Sequence, residues 1–477
     1  MVFNRLYAFW TPGLLLGIWG SAMVNERDPR LLRVEDMVRR LLRHKADANL
    51  SNALEKMHAA EVAQIFQHFL PEERQEAFSL VRNREHRASI LTESDSHIVR
   101  ELLEPVPDKD VVPLIKELDS DDARYILETL PEERSQEIVA LLDAPETEAI
   151  QDMMAYLPET AGAIMTDSYV ALPEELTVDE AISQVRKASE VDYIFYVYVI
   201  DSNGCLRGVI SLRQLLLADP SKTLSEVMIT NVWSENIHAD QEHVARVVSR
   251  YNILAIPVVD DDNVLVGIIT VDDVLDVIRE EATEDILKMA GTHSYQDEVT
   301  SLSARRLAWI RLPWLFFSWL GGILAAQLIH QYSDQLSKIV ALAAFMPVII
   351  GMAGNVGTQS ATIVVRGLAT GRIDPKSWLR VISKEVTVGT LLGICYGLLL
   401  GLLATYQFAS VAWLGFVVGL AICVVMMFSA LLASVLPLVL HRFRVDPAVA
   451  TGPFVTTGVD VLGLLIYFNI ARFFLFI

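Results

Sequence analysis

Pro347-Val-Ile-Ile-Gly-Met-Ala-Gly-Asn-Val-Gly-Thr-Gln359 lies inside residues 338–366, a stretch without acids whose only Lys or Arg are Lys338 and Arg366 at its ends. A helix this long and apolar crosses a hydrocarbon core of about 30 Å. Pro347, Gly351, Gly354 and Gly357 either let helices approach closely or let this one break and turn carbonyl oxygens toward a cavity. Close packing accounts for the glycines but less well for Asn355 and Gln359, whose amides need partners in lipid. Four more apolar runs, near 307–330, 384–408, 411–440 and 450–475, give five expected spans.

Orientation follows from the loops. Arg305, Arg306 and Arg311 precede the first span, and Arg366, Arg372, Lys376, Arg380 and Lys384 separate the second from the third. Arg442 and Arg444 separate the fourth from the fifth, while the alternate loops hold only Lys338, beside Asp334. The positive-inside bias places everything before the first span in the cytoplasm and the C-terminus outside, as expected for a plasma (inner) membrane protein.

Asp460, in Thr456-Thr-Gly-Val-Asp-Val-Leu-Gly463, sits within the last span. A carboxylate there costs roughly 2.5–3.5 kcal/mol on insertion scales, so it needs a partner or a water-filled path. It is either protonated and bonded to a neighbouring helix or it lines a cation pathway. Two copies in a homodimer would form a carboxylate pair suited to a divalent ion. With Pro347, Gly354, Asn355, Gly357 and Gln359 supplying neutral oxygens nearby, the set suits a hard cation that keeps part of its water shell.

The soluble half has the opposite charge. Residues 304–477 hold 12 Lys or Arg and 5 Asp or Glu, a formal +7, so residues 1–303 carry −28 of the −21 total. That balance repels nucleic acid and suits solubility or cation attraction. Cys205, Cys395 and Cys423 are too scattered for a disulfide framework or zinc knuckle. Residues 1–27 form an uncertain extension: Leu6–Gly20 is apolar behind Arg5, and Met23 before Asn-Glu-Arg-Asp-Pro reads as a natural start.

Residues 28–162 show helical periodicity, and Leu70-Pro-Glu-Glu-Arg74 recurs as Leu130-Pro-Glu-Glu-Arg134, each opening a helix. Short helices repeated this way form a curved stack or an ordinary helical domain. Further on, Val199-Ile-Asp201 with Gly208-Val-Ile-Ser211 matches Val258-Val-Asp260 with Gly267-Ile-Ile-Thr270 at an offset of 59. Asp201-Ser-Asn-Gly204 and Asp260-Asp-Asp-Asn263 are hairpin turns between apolar strands. This repeat resembles a tandem pair of cystathionine-β-synthase (CBS) domains, over 163–225 and 226–280. Thr270 and Asp273 have the Thr-x-x-Asp spacing with which such pairs hold the ribose of a nucleotide such as ATP.

Asp272, Asp273, Asp276, Glu280, Glu281, Glu284 and Asp285 place seven carboxylates in fourteen residues, opposed only by Arg279. Several fall three or four apart, on one helical face. At 4 Å a like-charge pair costs about 4 kcal/mol at an effective dielectric of 20, before screening. The first CBS copy has Arg213 and Gln214 where the second has Asp272 and Asp273, so the fold does not require acids there. The stretch is either a solvated face or a divalent-cation sensor, and oxygen-only ligands favour magnesium or calcium over zinc or copper.

Helical stack, CBS pair, acidic connector and five spans together resemble the MgtE family of magnesium channels. The implied fold is a multidomain α-helical membrane protein: N-terminal α-helical superhelix, α/β CBS pair, connecting (plug) helix at 281–303 and five-helix transmembrane bundle at 304–477. The resemblance implies a homodimer with the pore between membrane halves, Asp460 selecting hydrated Mg2+, and Asp446 near the cytoplasmic pore end. It also implies regulatory Mg2+ at Asp240, Glu242, Asp273, Asp276, Glu281, Glu284 and Asp285. Asn252 departs from the family pattern, standing where an acid can occur. A CBS-regulated manganese or cobalt transporter and a membrane-anchored sensor are the rivals; no hydrolase, zincin, Walker or cofactor-lysine signature points to an enzyme.

Overall fold

The computed structural model describes residues 29–143, 147, 150, 153–188, 194–291, 303–373, 377–443, 445–450 and 452–475. The expected extension at 1–27 and residues 292–302 of the connector lie outside the described residues. The chain divides into two compact units, taken in turn.

The first unit contains helices α1 (Pro29–Arg43), α2 (Asp47–Leu54), α3 (Ala59–Phe66), α4 (Pro71–Ser79), α5 (Arg84–Thr92), α6 (Ser96–Leu103), α7 (Asp108–Ile115), α8 (Ser120–Thr129) and α9 (Glu132–Val139). From α3 to α9 each helix packs on the one two places along, the pattern of a superhelical stack. The two Leu-Pro-Glu-Glu-Arg copies do the same work. Arg74 at the start of α4 donates to Phe69 O (3.0 Å) and to Glu101, and Arg134 in α9 donates to Leu103 O (3.0 Å) and Asp108 (2.8 Å). Each arginine thus ties its helix to another layer while its helix buries apolar residues such as Phe78 or Ile138.

The second unit begins with α10 (Ala161–Ile164) and the paired domains. β1 (Val170–Pro173) runs parallel to β2 (Tyr196–Ile200), which is antiparallel to β3 (Leu206–Ser211); β4 (Glu235–Asn236), β5 (Ala255–Val259) and β6 (Leu265–Thr270) repeat that order. Helices α11 (Val178–Val185), α12 (Leu212–Leu217), α13 (Leu224–Val227), α14 (Gln241–Tyr251) and α15 (Val271–Met289) accompany them. The offset of 59 reaches single residues. Asp201 Oδ1 accepts from the N–H groups of Asn203 (2.8 Å) and Cys205 (3.0 Å), and Asp260 Oδ1 from those of Asp262 (2.9 Å) and Val264 (2.8 Å). Gly204 and Asn263 take the matching left-handed position. The turns then face each other, Leu206 N donating to Asn263 O (3.0 Å) and Leu265 N to Gly204 O (3.1 Å). The short parallel strands β1 and β4 are additions to the expected strand pairs.

Beyond residue 303, five helices are long and apolar enough to cross a membrane: α16 (Ala304–Gln331), α18 (Ala341–Ala369), α19 (Trp378–Gln407), α20 (Leu414–Arg442) and α21 (Pro453–Leu475), with a short α17 (Ser333–Lys338) after the first. They fall within a few residues of the expected spans, up to six at the start of α19. A 3-10 turn, Pro447–Ala450, leads into α21. The alternative of a broken second span is corrected: α18 is one continuous helix through Pro347, which lies in its second turn and removes only a single backbone bond.

Close backbone approach organises this bundle. On α19, Gly389, Gly393, Gly397 and Gly401 lie along one face. A Cβ there would fall 3.0, 2.8, 2.6 and 2.7 Å from the carbonyl oxygens of Met426, Cys423, Gly419 and Gly415 of α20. Buried hydroxyls lock α18 to its neighbours: Ser429 Oγ of α20 donates to Ala353 O (2.6 Å), and the Tyr467 hydroxyl of α21 to Leu342 O (2.8 Å). Gly357 leaves room for the first of these, since a Cβ would lie 2.7 Å from Ser429 Oγ. Replacing Gly393 by Leu should therefore destabilise the membrane half by roughly 1–3 kcal/mol, through overpacking. Gly322→Ala, with nothing within 4 Å, should leave the thermal midpoint in detergent unchanged or slightly raised; equal midpoints for Gly393→Leu and the parent would refute the packing account.

Candidate functional site

Two regions gather the chemistry. In the membrane half, Asp460 sits two turns into α21, half-buried, and among the described residues it has no hydrogen bond or ion pair. Its neighbour Val459 is buried where α21 meets Gly357 of α18. Asn355 and Gln359, four residues apart, share another face of α18 and are exposed, and Gly351 and Gly354 have open space beside them. Gly357 belongs to the packed face instead. Within one chain no hydrogen bond joins Asp460 to Asn355 or Gln359.

The second region surrounds α15, which runs unbroken from the second CBS copy into the connector, so the expected junction at 280/281 falls inside one helix. At its start the Thr270 hydroxyl bonds Asp273, whose carboxylate accepts from Thr270 N (3.2 Å). Ser211 and Gln214 make the same capping box in the first copy. Helix capping thus accounts for the Thr-x-x-Asp spacing. Asp276, further along, is largely exposed and faces Arg279 (3.4 Å).

The C-terminal half of α15 is crowded. Glu281 accepts from the Gln241 amide (2.7 Å), and Asp240 caps α14 by accepting from Glu242 N (2.9 Å) and His243 N (3.2 Å). Lys288 Nζ lies 2.6 Å from Glu284 and 2.7 Å from Asp446, whose other oxygen accepts from Ala448 N (2.7 Å). The helix ends at Met289; Gly291 beyond it lies in the left-handed region (φ 74°), and a Cβ there would lie 3.5 Å from Pro453 Cδ and 3.7 Å from Trp314 Cβ. Asp240, Glu242, Glu281, Glu284, Asp285 and Asp446 therefore converge, whereas Asp273 and Asp276 stand apart. No three acids or other ligand side chains are already gathered at metal-binding distance among the described residues.

Four of these carboxylates, Glu242, Asp273, Glu281 and Asp285, hold their protons more tightly than usual. Burial pushes Glu281 up to about 7, with Glu284, Glu242 and Asp240 adding repulsion against the help of Gln241. Burial likewise lifts Asp285 to about 6, reinforced by Asp446 and Glu242, and Asp273 to about 6. Glu242 is also raised by burial. Burial works against the Lys288 ammonium, but its bonds to Asp446 and Glu284 prevail and hold its pKa above the usual lysine value.

This order of modules has counterparts. Residues 346–470 match the MgtE family model, described as a divalent cation transporter, residues 57–159 the MgtE intracellular N domain, and residues 161–221 and 224–280 the CBS domain. The chain is 39% identical over 335 residues to the magnesium transporter MgtE of Bacillus subtilis (strain 168), covering 70% of this chain and 74% of that one. It is 40% identical over 344 residues to the magnesium transporter MgtE of Thermus thermophilus, covering 71% and 75%. The chain belongs to the MgtE family. A crystal structure of the cytosolic domain of the Mg2+ channel MgtE in complex with ATP is also similar, at 32% identity and a TM-score of 0.49, covering 51% of this chain and 99% of that one.

As an MgtE member the chain has features that sequence reasoning missed. Glu385, in the second turn of α19, is only 6% exposed, and among the described residues no side chain pairs with it. It and Asp460 are the only acids in the five long apolar helices, a signal masked by the basic residues beside Glu385. Lys288 was overlooked because its partner Asp446 lies far away in the chain. Asn252 ends α14 in the left-handed region (φ 51°, ψ 47°), which gives a local reason for Asn at that position.

Because Glu281, Asp285 and Asp273 hold protons more tightly when folded than when unfolded, the folded state binds more protons. Stability must fall as pH rises from ordinary carboxylate values through about 6 to 7. The chelated full-length protein should accordingly melt at least ~2 °C higher at pH 6 than at pH 8. Added magnesium should abolish the difference, and a melting point that rises with pH in chelator would contradict the assignment.

Proposed function

We propose that this MgtE member carries Mg2+ across the membrane, opening when intracellular Mg2+ is scarce and closing when it is abundant. The observation that carries the reading is Asp460, a half-buried and unpaired carboxylate within a helix long and apolar enough to span. Such a group is tolerated in a membrane when a cation or water visits it. The working unit is a homodimer with cytoplasmic N-terminal domains and an outside C-terminus. Pairing puts two Asp460 carboxylates on one axis, with Asn355, Gln359 and the open backbone at Gly351 and Gly354 offering neutral oxygens to a partly hydrated ion. The exposed flank of α16, where only Gly321 is buried, leaves surface for lipid or the second copy.

Gating uses the second region. Asp240, Glu242, Glu281, Glu284, Asp285 and Asp446, with Asp273 and Asp276 along the same helix, repel one another, and Mg2+ binding between them draws α15 against the turn before α21. Loss of the ion frees that contact. A nucleotide at Thr270 and Asp273 is a separate proposal; it would have to compete with the capping bonds, and ATP titration of the Asp273→Ala variant tests it.

Complementation of a magnesium-uptake-deficient bacterium should succeed with the parent chain and fail with Asp460→Ala, and Mg2+ flux into liposomes should fall on the order of tenfold or more. Equal growth and flux would refute the pore assignment. Manganese or cobalt entering in preference to magnesium under competition would favour a transporter of those ions.

A further inference from the structure

The most informative group outside the established set is a cation. Lys288 lies in the last turn of α15, where a positive charge suits the helix dipole, and Glu284 four residues earlier is a favourable partner. Those local effects explain an exposed lysine but not this one. Its side chain is 19% exposed, and its Nζ reaches Asp446, 158 residues away, at 2.7 Å, almost the distance it keeps to Glu284. Glu242, Glu281 and Asp285 crowd the same patch, and Arg366 and Arg246 stand at its edge. Behind it the helix end is fitted closely: a Cβ on Gly452 would lie 3.2 Å from Met289 O, and Gly291 packs on Pro453.

We infer that Lys288 is a built-in cation that latches the connecting helix to the turn opening the last span, bridging Glu284 and Asp446 as a divalent ion would and setting how much magnesium closure requires. The inference rests on the gating reading above. One ammonium cancels one of the charges that hold α15 and the Asp446 turn apart, and it cannot diffuse away. Fewer ions are then needed to bring them together. Because the lysine is bonded on both sides, it transmits the position of α15 to the backbone before α21, rather than merely reducing charge.

The test uses full-length protein in liposomes, with Mg2+ flux followed against internal Mg2+, and hydrogen exchange of residues 281–291 measured on chelated protein. Lys288→Gln should raise the internal Mg2+ for half-closure roughly fivefold or more. It should also speed exchange in that segment roughly threefold or more without metal. Lys288→Arg, which keeps charge and reach, should stay near the parent in both. Asp446→Asn should add less to Lys288→Gln than it does alone, since both break one bond. An unchanged or lowered Mg2+ threshold in Lys288→Gln, unchanged exchange, or additive effects would each overturn the latch. If the parent itself passes no Mg2+, the transport reading fails instead, and the exchange measurement still decides whether the lysine holds the helix.

Discussion

Mutual repulsion among carboxylates is the constraint around which this molecule is arranged. Glu242, Glu281, Glu284, Asp285 and Asp446 are drawn together from α14, α15 and the turn before α21, and burial makes the charged forms of Glu242, Glu281 and Asp285 costly. A fold that wanted only stability would place neutral or basic groups there. The acids persist where the soluble half meets the membrane helices, so a cation arriving there changes the free energy of that contact directly. Lys288 supplies part of the compensation from within the chain.

The contact can carry a signal because both sides are stiff. α15 is a single helix rooted by its Thr270–Asp273 cap in the second CBS sheet, and its far end comes so close to the turn before α21 that a Cβ on Gly452 would lie 3.2 Å from Met289 O. On the membrane side, α20 and α21 grip α18 through the Ser429 and Tyr467 hydroxyls, and α19 lies against α20 along four glycines. Small residues matter here because apolar side chains gain nothing by leaving lipid for one another, so close backbone contact and buried hydroxyl bonds must hold the helices. On the proposed gating, a shift at α15 would reach α21, and with it Asp460, through these close contacts.

Asp460 and the α15 cluster are thus two uses of one chemistry in different surroundings. On the proposed reading, a visiting ion would make the lone carboxylate in the spanning helix tolerable, and several ions would do the same for the crowd beside the CBS pair. Hard oxygen ligands without clustered His or Cys suit Mg2+ at both.

The sequence by itself determined the elements. Hydropathy marked five spans, the offset of 59 marked a duplicated module down to the Asx turns at Asp201 and Asp260, and the recurring Leu-Pro-Glu-Glu-Arg marked repeated helix starts, because period, turn chemistry and capping are local properties. It also singled out Asp460, since one charge in an apolar run needs no partner to be noticed. Tertiary structure alone decided which of those local signals meet. It kept α18 unbroken through Pro347, turned Gly357 inward and Asn355 outward, buried Glu385, and separated Asp273 and Asp276 from the acids that converge on Asp446. It also brought Lys288 to Asp446 across 158 residues. Such pairings depend on how helices pack around one another, and no spacing along a chain encodes the distance between two residues that only packing makes neighbours.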